Sequence, residues 1–91
     1  MVVSPPDAGA VFSGYVLDSE SGEGLPGANV FFKQTDIGTA TNIDGYFVLP
    51  AVPAGNYQLS ITFVGYATHS EAITIHDNAA ITRNFELSQQ N

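Results

Sequence analysis

Two histidines, His69 and His76, are the only imidazoles in the chain. A nucleophilic relay needs a hydroxyl or thiol beside a base that a third group orients. Ser60 and Ser70 have no nucleophile-elbow sequence around them. His69 follows Thr68 in an alternating run, and His76 opens a turn beside Asp77. Both rings read as exposed polar positions, and no catalytic residue is assigned. There is no cysteine, hence no thiolate, disulfide or cysteine-ligated metal. Calcium prefers hard oxygen donors, and Asp18, Glu20 and Glu23 gather around one loop while Asp36 and Asp44 sit near another. Asp18, Glu20 and Glu23 are weak calcium candidates only: Asn42-Ile43-Asp44-Gly45 lacks the alternating acids of an EF-type loop, and acidic loops on an acidic chain are ordinarily solvated. No metal and no cofactor is expected. What remains is binding through aromatic rings. Tyr57 shares an apolar strand face and Tyr66 follows a glycine at a strand break, which leaves Tyr15 and Tyr46 as the candidate interaction surface.

Composition narrows the partners. Nine acids stand against one lysine and one arginine, for a net charge of −7 over 91 residues. That field repels phosphate backbones and anionic membrane surfaces, so nucleic acid is not a partner. No apolar run approaches the ~20 residues of a membrane helix, and direct membrane insertion is not expected. Met1-Val2-Val3-Ser4-Pro5-Pro6 lacks the basic and apolar regions of a signal peptide and reads as the start of a piece of a larger protein. With 44% hydrophobic residues, the chain can fill one domain's core.

The elements that must hold these residues are strands. Residues 1–9 form a proline-containing tether, residues 10–88 a single sandwich domain, and residues 89–91 a tail. Alternation of apolar side chains marks Ala10–Asp18, where Phe12, Gly14 and Val16 share a face, and then Ala28–Gln34. A brief edge strand is expected from Gly38. Asp44-Gly45 supplies a positive-φ turn expected to close a hairpin. In Tyr46–Val52, Pro50 calls for an edge position or a bulge. Tyr57–Val64 alternates most cleanly, Ala67–Ile75 resumes after Gly65-Tyr66, and Ile81–Leu87 closes the set. In that last run Arg83 falls among apolar residues, so it is expected near a strand end with its head in water. No segment has a helical period with caps. The expectation is an all-β fold, a seven-stranded antiparallel two-sheet sandwich of Greek-key type. Its expected core is Val16, Val30, Phe32, Phe47, Leu49, Leu59, Ile61, Phe63, Ile73, Ile75, Phe85 and Leu87, and Phe63→Ala should cost about 3–5 kcal/mol.

The order of turns resembles a known family. Phe12 to Asp18 followed by Ser21-Gly22-Glu23-Gly24-Leu25-Pro26-Gly27-Ala28-Asn29-Val30 is similar to the opening of carboxypeptidase regulatory-like domains, which share the transthyretin-like (prealbumin-like) sandwich. The likeness continues through Gly38 to Phe47 and Val52 to Leu59, and ends at Phe63-Val64-Gly65-Tyr66. It implies a non-catalytic spacer or interaction module of a larger cell-envelope protein. The Phe-Val-Gly-Tyr ending resembles the version that forms the periplasmic N-terminal extension of TonB-dependent outer-membrane receptors. Implied partners are other domains of the parent protein, with a protein or glycan ligand in second place. The implied location is extracytoplasmic, periplasmic or cell-envelope associated. The alternative is a carbohydrate- or calcium-binding accessory domain of a secreted peptidase or adhesin. The hydroxyisourate-hydrolase branch of the fold ends in a Tyr-Arg-Gly-Ser-type segment, whereas this chain ends Phe85-Glu86-Leu87-Ser88-Gln89-Gln90-Asn91. Related surface-adhesin sandwiches form Lys–Asn isopeptide bonds with the help of an acid four residues after the Tyr of a Pro-x-Gly-x-Tyr turn; the position that this resemblance assigns holds Ile61, so a Lys33–Asn84 bond is not expected.

Overall fold

The computed structural model describes residues 9–90; most of the expected tether, residues 1–8, and Asn91 lie outside them. The described residues form eight strands and no helix: β1 (Ala10–Asp18), β2 (Asn29–Phe32), β3 (Gly38–Ala40), β4 (Tyr46–Val52), β5 (Gly55–Thr62), β6 (His69–Ile75), β7 (Ala80–Thr82) and β8 (Phe85–Leu87). One sheet runs β4-β1-β7, with β8 also on β1; the other runs β3-β2-β5-β6. The all-β two-sheet class stands. Two details differ, and both have a physical cause.

First, the run Ile81–Leu87 is two strands, not one. β7 and β8 pair with β1 in a single register, Phe12 opposite Ile81 and Val16 opposite Phe85. Between them the backbone of Arg83 folds in over Gly14, so closely that a Cβ on Gly14 would overlap the Arg83 carbonyl oxygen. The Asn84 side chain bridges the interruption by accepting from the Tyr15 N–H at 3.1 Å. That also engages the amide considered for a cross-link to Lys33.

Second, the sheets are not wholly antiparallel: β7 and β8 run parallel to β1. The chain's path dictates this. β6 ends at Ile75 opposite Gly55, just after Val52, which pairs with Ala10 at the start of β1. The turn at residues 76–79 therefore enters the first sheet at β1's starting end, where the Val11 N–H donates to the Ala79 carbonyl at 2.9 Å. From there the only open course is alongside β1 in the same direction.

Asp44-Gly45 does not close a hairpin, because β3 and β4 belong to different sheets. Gly45, at φ 82°, instead lets this arch nest against the loop after β1. A Cβ there would meet the Gly24 Cα, the Leu25 nitrogen and the Val16 oxygen, each at 2.7 Å. Pro50 is exposed on the edge strand β4, and Ala51 beside it takes φ 60° where the register with β1 shifts. Both outcomes that the proline called for are present.

The core follows the alternation. Phe12 is its centre, with ring centroids 5.4 Å from Phe47, 6.0 Å from Phe32 and 6.2 Å from Phe85. Ala10, Phe12, Leu25, Ala28 and Val52 join the expected core residues. Phe63 and Ile73 are only half-buried. Phe63 lies just past the end of β5, where its ring leans on Tyr66 at 5.4 Å, and Ile73 sits on the edge strand β6. Tyr57 lies half-buried on the core, stacked on Phe32 at 4.6 Å, and its hydroxyl donates to the Pro53 carbonyl.

Candidate interaction surface

Side chains alternate across β1, so burying Phe12, Gly14 and Val16 turns Val11, Ser13, Tyr15 and Leu17 outward. The register puts Ser13 opposite Val48 and Tyr15 opposite Tyr46 on β4. The two tyrosines that the sequence singled out are thus brought together. Their ring centroids lie 5.1 Å apart at 61°, edge to face. Tyr15 and Val48 are each 42% exposed and Val11 41%. On the other flank of β1 the exposed residues are Ala80, Thr82, Asn84 and Glu86, together with Arg83, whose guanidinium turns to Glu71 of β6. Among described strand residues of this outer face only Glu86 is charged. Of the ten Asp, Glu, Lys and Arg side chains among the described residues, the strands of this face present one. Depletion of charge and enrichment in tyrosine mark the centre of a protein contact surface.

The acids read as weak calcium candidates do not converge. Asp18 is 7% exposed. Its Oδ1 accepts from the Glu20 and Ser21 N–H groups, and its Oδ2 accepts from the Tyr66 hydroxyl. The Tyr66 hydroxyl, followed by the Ser21 and Glu20 amides, holds the Asp18 carboxyl down at about 2, from an ordinary 3.8. The same bond raises Tyr66 above its ordinary 10.0. Glu20 and Glu23 point to solvent, and among the described residues no three His, Asp or Glu side chains form a metal-ligating group. Asp18 is a loop anchor. The Asx-turn pattern Asp18-Ser19-Glu20-Ser21 was a legible signal for this; the Tyr66 partner, 48 residues away, was not.

The same end of the sandwich fixes the chain's exit. The Ser19 N–H donates to the Leu87 carbonyl, Ala67 N–H to Ser88, and Gln90 N–H to Gly65, the first two at 2.9 Å and the last likewise. Gln89 and Gln90, in the segment read as a tail, are therefore paired to the loop after β5.

Where β6 approaches the break between β7 and β8, His69, Glu71 and Arg83 form a hydrogen-bonded network. The His69 Nε2 lies 2.8 Å from Glu71 Oε1, and the Arg83 guanidinium donates to Oε2 at 2.9 Å. Glu71 is lowered from 4.5 chiefly by His69, with partial burial opposing and Arg83 adding. His69 is half-buried with its ring 5.4 Å from Phe85, not a plain exposed position, while His76 is exposed. Arg83 stands just past the end of β7 and is exposed, as its place among apolar residues led one to expect, with its guanidinium 5.1 Å from the Phe85 ring centroid. The apolar register of Arg83 signalled that it needed a partner; nothing in the sequence named Glu71. Thr41 was also missed. It is buried, accepts from the Ala28 N–H and donates to the Leu25 carbonyl, fastening the glycine-rich loop to the sheet.

The comparisons with known proteins bear on this geometry. TonB-dependent receptor P3 of Formosa agariphila is 33% identical over 69 residues, which is 76% of this chain and 7% of that receptor. A type II cohesin–X-dockerin complex from Acetivibrio cellulolyticus contains a chain with a TM-score of 0.71 and 26% identity, covering 85% of this chain and 53% of that one. Catechol 1,2-dioxygenase from an Acinetobacter species also superimposes with a TM-score of 0.71, over 96% of this chain and 54% of that one, but at 10% identity it shows a shared fold alone. The chain spans 7% of the receptor and about half of either solved chain. The model of the CarboxypepD_reg-like domain family matches residues 12–91, from the first core phenylalanine through all eight strands, and the chain belongs to that family of non-catalytic β-sandwich domains.

Proposed function

We propose that this chain is a non-catalytic accessory module of a larger cell-envelope protein, residing in the periplasm as an N-terminal extension of a TonB-dependent outer-membrane receptor. Residues 10–90 are the module, the paired Gln89 and Gln90 included, with 1–9 as tether. Its working surface is the outer face of the β4-β1-β7 sheet, and its partner is another protein surface, within the parent protein or beyond it. The observation that carries the interaction role is the uncharged Tyr15–Tyr46–Val48 patch on a domain of net charge −7. The 33% identity to a receptor segment supports the parent. A flat sugar platform is not favoured, since rings inclined at 61° cannot both lie beneath one pyranose. Nor is catalysis favoured: the half-buried histidine is hydrogen-bonded to Glu71, which also pairs with Arg83.

The test uses the full-length gene product in its native host. Protease added to intact cells should leave this domain uncut, and cleavage should begin once the outer membrane is permeabilised. Cutting in intact cells would place the module on the cell surface and sink the periplasmic reading. In the same strain, Tyr15→Glu with Tyr46→Glu should abolish cross-linking of the domain to its protein neighbours. Unchanged cross-links would remove the assigned face.

A further inference from the structure

The first and last strands of this fold are neighbours and parallel. β1 lies between β4 and the β7–β8 strand, and its direction matches that of β7 and β8 along the whole contact. The chain therefore enters at one end of the sandwich, at Ala10, and leaves at the other, after Leu87. The nine residues of β1 separate those points by roughly 30 Å.

We infer that the domain is a load-bearing link, built to carry tension between its two ends. A pull on Gly9 draws β1 backward along its own axis, and a pull on Gln90 draws β8 forward. The two strands are driven past one another lengthwise. Their hydrogen bonds lie across that motion and share the load, so none can break alone. A hairpin pulled from its open end yields one bond at a time.

Three details strengthen the contact. The Val11 N–H to Ala79 carbonyl, the Arg83 N–H to Ser13 carbonyl and the Ser19 N–H to Leu87 carbonyl, each at 2.9 Å, extend the pairing beyond both paired segments. At the interruption the Asn84 side chain takes the Tyr15 N–H, so the line of bonds has no gap. The inward fold of Arg83 over Gly14 also opposes sliding, because the Arg83 carbonyl sits where any other residue would carry its Cβ. The Ser88 and Gln90 bonds to Ala67 and Gly65 then keep the exit strand from peeling away first.

Single-molecule force spectroscopy on the chain tests this. Handles at the two termini load the pairing in shear; handles at the N-terminus and at Asp77→Cys, in the turn before β7, open it from one end. The terminal geometry should need about twofold more force, or higher, at the same loading rate, since forced unfolding reports the barrier along the pulled direction. Equal forces would overturn the inference. Arg83→Pro and Arg83→Ala both lose the Glu71 ion pair, but only the proline loses the N–H that donates to Ser13. Terminal unfolding force should fall in Arg83→Pro relative to Arg83→Ala, with the end-opening force changed less. If the two variants match under terminal load, the shear pairing is not what carries the tension. Should Arg83→Pro not fold, Asn84→Ala, which removes the acceptor for the Tyr15 N–H, replaces it with the same two outcomes.

Discussion

Asp18 and Tyr66 share one hydrogen bond, and its two ends titrate at opposite extremes of pH. The native Asp18 carboxyl, near 2, lies below its ordinary 3.8. Its contribution to stability is thus complete above that ordinary value and is lost as pH falls toward 2. Native Tyr66 is raised above 10.0, so its contribution holds below pH 10 and disappears as pH climbs past the raised value. Tyr66→Phe should lower the melting temperature at neutral pH and make both limbs of its pH profile shallower; unchanged limbs would show that the bond carries no linkage. Gly14 offers a second residue-scale test. Gly14→Ala drives a methyl group into the Arg83 carbonyl and should cost about 1–3 kcal/mol, or more if β7 and β8 detach. Urea denaturation measures it, and a cost below ~0.5 kcal/mol would mean that the strands separate with ease.

At the scale of elements, the aromatic core is unequal. Phe12→Ala empties the centre of the Phe32–Phe47–Phe85 cluster and should lose about 3–5 kcal/mol, whereas Phe63→Ala, half-buried against Tyr66, should lose roughly half as much. Equal losses by chemical denaturation would refute that ordering. The period-2 alternation made this layer legible: β1, β4 and β5 begin and end within two residues of where apolar spacing puts them. Alternation says which face is buried but not which strand lies alongside. That is why Asp44-Gly45 reads as a hairpin when it is an arch between sheets, and why β7 and β8 read as antiparallel. Turn chemistry reports a change of direction, and an arch uses the same glycine as a hairpin. The Tyr15–Tyr46 pair was legible by elimination, since every other tyrosine had a structural use. The Asp18–Tyr66 and Glu71–Arg83 contacts were not, because each joins residues that only the assembled sandwich makes neighbours.

For the molecule as a whole, a net charge of −7 on 91 residues opposes compaction. Added sodium chloride should therefore raise the melting temperature, most steeply at low ionic strength where screening changes fastest. A flat response would mean that the acids are already spaced widely enough. The outer sheet face should behave differently from the core. Tyr15→Ala with Tyr46→Ala is expected to change stability by about 1 kcal/mol or less, the value of an exposed aromatic pair, so that any lost association in the full protein reflects recognition and not unfolding. The pinned exit strand has a further effect. With Leu87 bonded to the loop after β1, and Ser88 and Gln90 to the loop after β5, a polypeptide fused immediately after them would have little freedom to swivel, and its heading in space would be set by the sandwich itself.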